Sequence, residues 1–120
     1  MSGDFAGTRV LLVEDETLVA LMIEDMIDDI GAMLIATVST IGEAMATLES
    51  ARPDIAMLDI NVGGDQVFPV CERLAELGIP FVFSTGYGEH GVPPQWRASP
   101  VLQKPYSASQ LADALARCLT

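Results

Sequence analysis

Val10-Leu11-Leu12-Val13-Glu14-Asp15 is a four-residue apolar run that stops on two acids. The design recurs along the chain. Ile55-Ala56-Met57-Leu58 stops on Asp59, Phe81-Val82-Phe83 stops on Ser84-Thr85-Gly86, and a short run from Val101 stops on Lys104, the only lysine. Runs this short, apolar at consecutive positions and rich in β-branched or aromatic residues, read as strands buried on both faces, which is the habit of parallel sheets. If the four runs are parallel strands of one sheet, an acid pair, a lone acid, a hydroxyl and an ammonium converge at a single edge. That set suits a divalent cation and a phosphoryl group.

The segments between these runs read as helices. Glu16 to Ile30 carries Val19, Met22, Ile23, Met26 and Ile30 at helical spacing, with acids on the other face, and Gly31 stands where a helix-ending glycine belongs. Met33 to Val38 reads as a further strand. Ser39 or Thr40 caps a helix running to Ser50, with Glu43 completing a capping box with Thr40. Asn61 to Asp65 is expected as a loop, Gln66 to Leu77 as a helix stopped by Gly78, and Ala108 to Leu119 as a helix capped by Ser107. Gly86 to Pro100 holds three glycines and three prolines, and is expected to form no more than a turn or two of helix around Pro94 to Ala98. The alternation gives an α/β chain: a flavodoxin-like, doubly wound (βα)5 fold with a five-stranded parallel sheet in a three-layer sandwich. The strand order adopted for it is 2-1-3-4-5, with ligands outside the carboxyl ends of the strands.

Composition narrows the function. The 120 residues leave room for one domain, read as 8–120 behind a flexible leader, 1–7. Seventeen acids against six bases give a net charge of −11. That argues against nucleic acid and against an anionic membrane surface, both of which demand Lys and Arg. No apolar run approaches the roughly 18 residues of a spanning helix and no signal-peptide pattern opens the chain, so a cytoplasmic location is expected. Cys71 and Cys118 read as buried reduced thiols on helical faces.

Bringing Glu14, Asp15 and Asp59 within a few ångströms costs about 4 kcal/mol for each bare pair at 4 Å and an effective dielectric of 20. Such a cluster calls for a counter-ion, and hard carboxylate oxygens open to water suit Mg²⁺ or Mn²⁺. Asp59 is then placed to act as nucleophile on a phosphoryl donor, Lys104 to offer a mobile charge to a phosphoryl oxygen, and the Thr85 hydroxyl to donate to another. Singly, each of these residues reads as a solvated surface group; four strand-ends in this order do not.

The chain resembles, over nearly its whole length, the receiver domain of bacterial two-component response regulators. Val13-Glu14-Asp15-Glu16 looks like that family's acidic pair, Met57-Leu58-Asp59-Ile60-Asn61 like its phosphoacceptor motif, Ser84-Thr85-Gly86 like its switch hydroxyl, and Lys104-Pro105 like its lysine and cis proline. The resemblance implies that Asp59 takes the phosphoryl group and that Asp15, Asp59 and the main-chain carbonyl of Asn61 ligate Mg²⁺, with Glu14 acting largely through water. It implies self-phosphorylation from a sensor histidine kinase or phosphotransfer protein, and a downstream protein partner. Phe83-Ser84-Thr85-Gly86-Tyr87-Gly88 further resembles a subfamily with a Phe-Ala/Ser-Thr-Gly-Tyr-Gly stretch, common in alphaproteobacteria with atypical kinases. Two positions depart from the family. Val101 stands where receivers carry Tyr or Phe, and Gly63 stands where they carry Pro. Without that aromatic, the switch is expected to run through Thr85 and to order Gly86 to Pro100, moving Tyr87 and Trp96. His90, the only histidine, reads as a solvated loop residue.

Three other readings compete. A haloacid-dehalogenase-like phosphohydrolase wants a second Asp where Asn61 stands. A flavodoxin-like FMN protein wants a Ser/Thr/Gly-rich first loop where Glu14-Asp15-Glu16 stands. A phosphorylation-independent pseudo-receiver has no need of the intact acids and Lys104.

Overall fold

The computed structural model describes residues 5–86 and 91–119. Its main sheet has five parallel strands: β1 (Arg9–Val13), β2 (Met33–Val38), β3 (Ile55–Leu58), β4 (Phe81–Thr85) and β5 (Val101–Gln103). They lie in the order β2-β1-β3-β4-β5, as expected for a doubly wound sheet. β1, β3 and β4 are the inner strands and are buried nearly throughout.

Alternation along the inner strands assigns the two cores. Leu11, Val13, Ala56, Leu58, Phe81 and Phe83 face one side, where α2 (Ile41–Ser50) and α3 (Phe68–Glu76) cover them with Ala44, Leu48, Val70, Cys71 and Leu74. Val10, Leu12, Ile55, Met57 and Val82 face the other, under Ile23 and Ile27 of α1 (Thr17–Asp29) and Leu111, Ala114 and Leu115 of α4 (Ala108–Leu119). The result is the three-layer sandwich. Among the described residues, no helix is long and apolar enough to cross a membrane.

Helix ends follow the sequence signals. Gly31 (φ 86°) and Gly78 (φ 72°) sit just past α1 and α3. In each case the glycine N–H and the next N–H return to the last turn: Gly31 to Asp28 at 3.0 Å and Ala32 to Ile27 at 3.1 Å, Gly78 to Ala75 at 3.1 Å and Ile79 to Leu74 at 2.9 Å. A left-handed residue is needed at both places, and glycine meets no steric penalty there. The Ser107 hydroxyl accepts from Gln110 N at 3.1 Å, and the Gln110 side chain accepts from Ser107 N at 2.8 Å, so α4 starts with a full capping box. At α2 the box is displaced. The Thr40 hydroxyl accepts from Glu43 N at 3.0 Å, but the Glu43 carboxylate reaches Ser39 N at 2.9 Å instead of Thr40 N.

Several expectations need correction. α1 turns Ala20, Ile23, Ile27 and Ile30 inward, leaving Leu18 77% exposed and Met22 53% exposed. The helix carries more apolar residues than one face holds, and the buried set is the one that keeps i, i+3, i+7 spacing beneath the sheet. Asn61–Val62 and Asp65–Gln66 form an antiparallel hairpin in place of the expected loop, closed by Gly63 (φ 60°) and Gly64 (φ 88°), so α3 starts two residues late. Phe5, assigned to the leader, is buried on the α1/α4 side, because a Phe ring gains more from that core than from water. Residues 1–4 lie outside the described residues. Between β4 and β5, among the described residues, Pro94–Trp96 form a 3-10 turn, in line with the turn or two of helix expected around Pro94 to Ala98. The described part of that segment is pinned by Val92, which is buried, and by Trp96, whose ring meets Phe81 edge-on at 5.7 Å. Tyr87, expected to move with the switch, and His90, expected as a solvated loop residue, lie outside the described residues.

The two thiols differ in setting. Cys71 is fully buried, and burial pushes its thiol up to about 12; Cys118 is half-buried, with its thiol raised for the same reason. A thiol titration of the native chain at pH 8 is expected to count one slowly reacting group, and two once urea is added. Two rapidly reacting groups in the native chain would contradict this placement.

Candidate functional site

The carboxyl ends of β1, β3 and β5 deliver Glu14, Asp15, Asp59 and Lys104 to one edge, as the strand order requires. Carboxylate oxygens of Glu14, Asp15 and Asp59 all lie within 4.8 Å of one another. An open cleft of about 420 Å³ is lined by Asp15, Glu16, Asp59, Asn61, Gly86 and Lys104.

Lys104 is the cation of this cluster. Its ammonium donates to Glu14 at 2.7 Å and to Asp59 at 3.3 Å. Glu14 is the deepest acid, only 2% exposed, and its second oxygen accepts from Glu16 N at 3.1 Å. Burial raises the Glu14 carboxyl above its ordinary value, and the Lys104 contact counters only part of that. For Lys104 burial alone would lower the ammonium; the Glu14 hydrogen bond and the charges of Asp59 and Glu14 outweigh it and hold it above its usual value. The ammonium therefore stays charged wherever the carboxylates do.

Two fixings around the site were not seen from sequence. Gly63 N donates to Asp15 at 2.9 Å, so the hairpin after β3 orients the exposed acid. A side chain at Gly63 would be strained at φ 60°, and its Cβ would stand 3.4 Å from the Ser39 carbonyl. The Gly-Gly pair is the legible signal for this hairpin. The second fixing is Tyr106, whose phenol shares a 2.8 Å hydrogen bond with the Ser84 hydroxyl inside the core. Burial raises that phenol, so it remains a neutral hydrogen-bonding group. Tyr106 follows the cis Lys104–Pro105 peptide and anchors the chain that carries Lys104 to the strand that carries Thr85. No spacing rule pairs residues 22 apart, so no sequence signal announces this bond.

Thr85 is the last residue of β4, buried, and its carbonyl accepts from Lys104 N at 2.8 Å. Strand β4 thus runs two residues further than the apolar pattern indicates, placing Ser84 and Thr85 inside the sheet. Val101 lies opposite Phe83 in the register and packs against the α2/α3 core, so the family's aromatic position is filled by an aliphatic wall.

Three hard carboxylates converging beside an open cleft fit a small divalent cation that retains some of its water. Asp59 opens onto the same cleft, with the Lys104 ammonium alongside.

Comparison with known proteins agrees with this fold. SdrG from Sphingomonas melonis Fr1 superposes with a TM-score of 0.85 and 43% identity, covering 95% of this chain and 98% of that one. The BeF3-activated conformation of SdrG from Pseudomonas melonis Fr1 gives a TM-score of 0.82 and 42% identity, over 96% of this chain and 98% of that one. The phyllosphere-induced regulator PhyR of Methylorubrum extorquens is 27% identical over 99% of this chain, which covers 46% of PhyR. The chain spans about half the length of the curated relatives it matches. The response regulator receiver domain model matches residues 10–116, and the chain belongs to that family.

Proposed function

We propose that residues 8–120 form a phosphoacceptor switch in which Asp59 takes a phosphoryl group from a phosphohistidine. The observation that supports this most is the meeting of Glu14, Asp15 and Asp59 within 4.8 Å beside the Lys104 ammonium. An Asp59 oxygen forms the new O–P bond as the donor's P–N bond breaks, and the imidazole keeps the bonding pair and is protonated from solvent. Lys104, which already touches Asp59, shifts to a phosphoryl oxygen, and the Thr85 hydroxyl donates to another. Receiver domains bind Mg²⁺ at such an acidic pocket. Here Asp15, Asp59 and the Asn61 carbonyl are the direct ligands in our reading, and Mn²⁺ substitutes. Glu14, buried and already held by Lys104 and Glu16 N, acts through water. Bound metal supplies charge neutralisation of the phosphoryl oxygens. The BeF3-activated form of a 42% identical relative lends weight, since trifluoroberyllate mimics a phosphoryl group.

The donor is a histidine kinase or a phosphotransfer protein. Next to the site, Val19, Met22, Met26, Pro105 and Tyr106 line an apolar groove of about 240 Å³ that Lys104 also borders. Exposed Leu18 and Leu21 extend this face. A partner docking there brings its phosphohistidine to Asp59, and phosphorylation then alters contacts with a downstream protein.

Labelling by a small phosphodonor is the test. It should require Mg²⁺ and disappear in excess EDTA; undiminished labelling in EDTA would sink the metal assignment. Asp15→Ala should abolish Mg²⁺ binding in a calorimetric titration, because it removes a direct ligand, and wild-type affinity in that variant would refute the ligand set. Lys104→Ala should bind Mg²⁺ about three- to tenfold more tightly, since it deletes a competing positive charge close to the carboxylates. Trifluoroberyllate is expected to change Trp96 fluorescence in the wild type and not in this variant. A full wild-type change would make Lys104 a bystander.

A further inference from the structure

We infer that the buried Ser84–Tyr106 bond couples the phosphoryl site at Asp59 to the apolar groove beside it, so that phosphorylation reshapes the surface on which the phosphoryl donor docks. The inference rests on the phosphoacceptor reading above and adds its regulation. One short segment serves both places. Lys104 reaches Glu14 at 2.7 Å and Asp59 at 3.3 Å. Lys104, Pro105 and Tyr106 also line the groove of about 240 Å³, together with Val19, Met22 and Met26 of α1. Two bonds tie this segment to the end of β4. Lys104 N donates to the Thr85 carbonyl at 2.8 Å, and the Tyr106 phenol shares its 2.8 Å bond with the Ser84 hydroxyl.

Stability does not call for the second bond. An alanine and a phenylalanine of matching shape would fill this part of the α1/α4 core with no polar group to satisfy, at nearly the same free energy. A hydroxyl facing a phenol instead fixes where the two segments sit relative to each other, and Ser84 is 1% and Tyr106 8% exposed. The link has two arrangements. Before phosphorylation the Lys104 ammonium lies on Glu14 and Asp59. With a phosphoryl group on Asp59 it moves to a phosphoryl oxygen, while the Thr85 hydroxyl is drawn to another. Ser84 precedes Thr85 in the strand and carries that displacement to the Tyr106 ring, which is rigid and has few torsions to absorb it. The ring lines the groove, so the groove changes with the state of Asp59. Coupling of this kind is reciprocal: a donor seated in the groove biases Lys104 as strongly as the phosphoryl group biases the groove.

The test uses the full chain labelled with ¹³C at its methionine methyls, because Met22 and Met26 line the groove. The probe is trifluoroberyllate with Mg²⁺, and its own ¹⁹F signals report independently that it has bound. In the wild type the Met22 and Met26 methyls should shift on saturation, while Met33, exposed on the edge strand β2, should stay in place. Tyr106→Phe keeps the ring in the groove and removes only the phenol oxygen. Ser84→Ala breaks the same bond from a position that does not line the groove. In either variant the methyl shifts should fall to about a third or less of their wild-type size with the mimic still bound. Ser84→Ala combined with Tyr106→Phe removes both polar atoms at once, so it serves if a single variant unfolds, and it should be equally unresponsive. Methyl shifts of wild-type size in the double variant would overturn the inference. So would a bound mimic that leaves Met22 and Met26 unmoved in the wild type, a result under which the phosphoacceptor reading stands. Failure of the wild type to bind the mimic would instead remove that reading, and the inference with it.

Discussion

Asp59→Asn should take phosphoryl labelling to background while leaving the fold and the cleft in place. Asn has the shape of Asp, so the β3 end keeps its packing, but an amide oxygen is too poor a nucleophile to form the O–P bond. No neighbouring group substitutes readily. Glu14 is 2% exposed and tied to Lys104, and Asp15 accepts from Gly63 N. The measurement is acid-labile phosphate after incubation with a phosphorylated kinase or a small phosphodonor, alongside circular dichroism to confirm folding. Undiminished labelling of the Asp59→Asn variant, or acid-stable phosphate on a hydroxyl of the wild type, would dismiss the assignment.

Phe83→Ala is expected to be the most costly single change in the core, at about 3–5 kcal/mol. Phe83 is fully buried on an inner strand, and its ring meets Phe81 edge-on at 5.5 Å and Phe68 at 6.4 Å. Alanine leaves a cavity that three layers of packed side chains cannot close, and the aromatic contacts are lost as well. Against a total stability of about 5–15 kcal/mol, the loss takes about a fifth of the margin or more. Urea denaturation of the variant should show a lower midpoint with an unchanged slope. Phe83→Leu should cost about 1–1.5 kcal/mol, as a swap that keeps most of the volume. A loss below about 1 kcal/mol for Phe83→Ala would mean that the site collapses around the smaller residue, contrary to its rigid setting.

Much of the framework is legible in the chain because its signals are local. Four strand-end groups, the cap at Ser107 and the glycines after α1 and α3 each report a backbone state within a few residues, and backbone states assemble in only a few ways. The order of the strands then decides which ends meet, so Glu14, Asp15, Asp59 and Lys104 are identifiable together before any coordinates. The Gly63-Gly64 hairpin is also within reach, since paired glycines between short extended segments specify such a turn, but the flanking pairs are too short and polar to read as strands, and the segment reads as a loop.

The chain by itself thus determined which groups arrive at the carboxyl edge of the sheet, because periodicity and caps act over single turns. Only the tertiary structure decided how those groups are held. Lys104 pairs with Glu14 across 90 residues, Gly63 with Asp15 across 48, and Tyr106 with Ser84 across 22. It also decided which of the surplus apolar residues of α1 turn inward, and the burial of Phe5. The physical reason is common to all of them. Contacts between distant residues are selected by the packing of whole layers, where burial of one group is balanced against the charge, shape and hydrogen bonds of others that the local sequence does not contain.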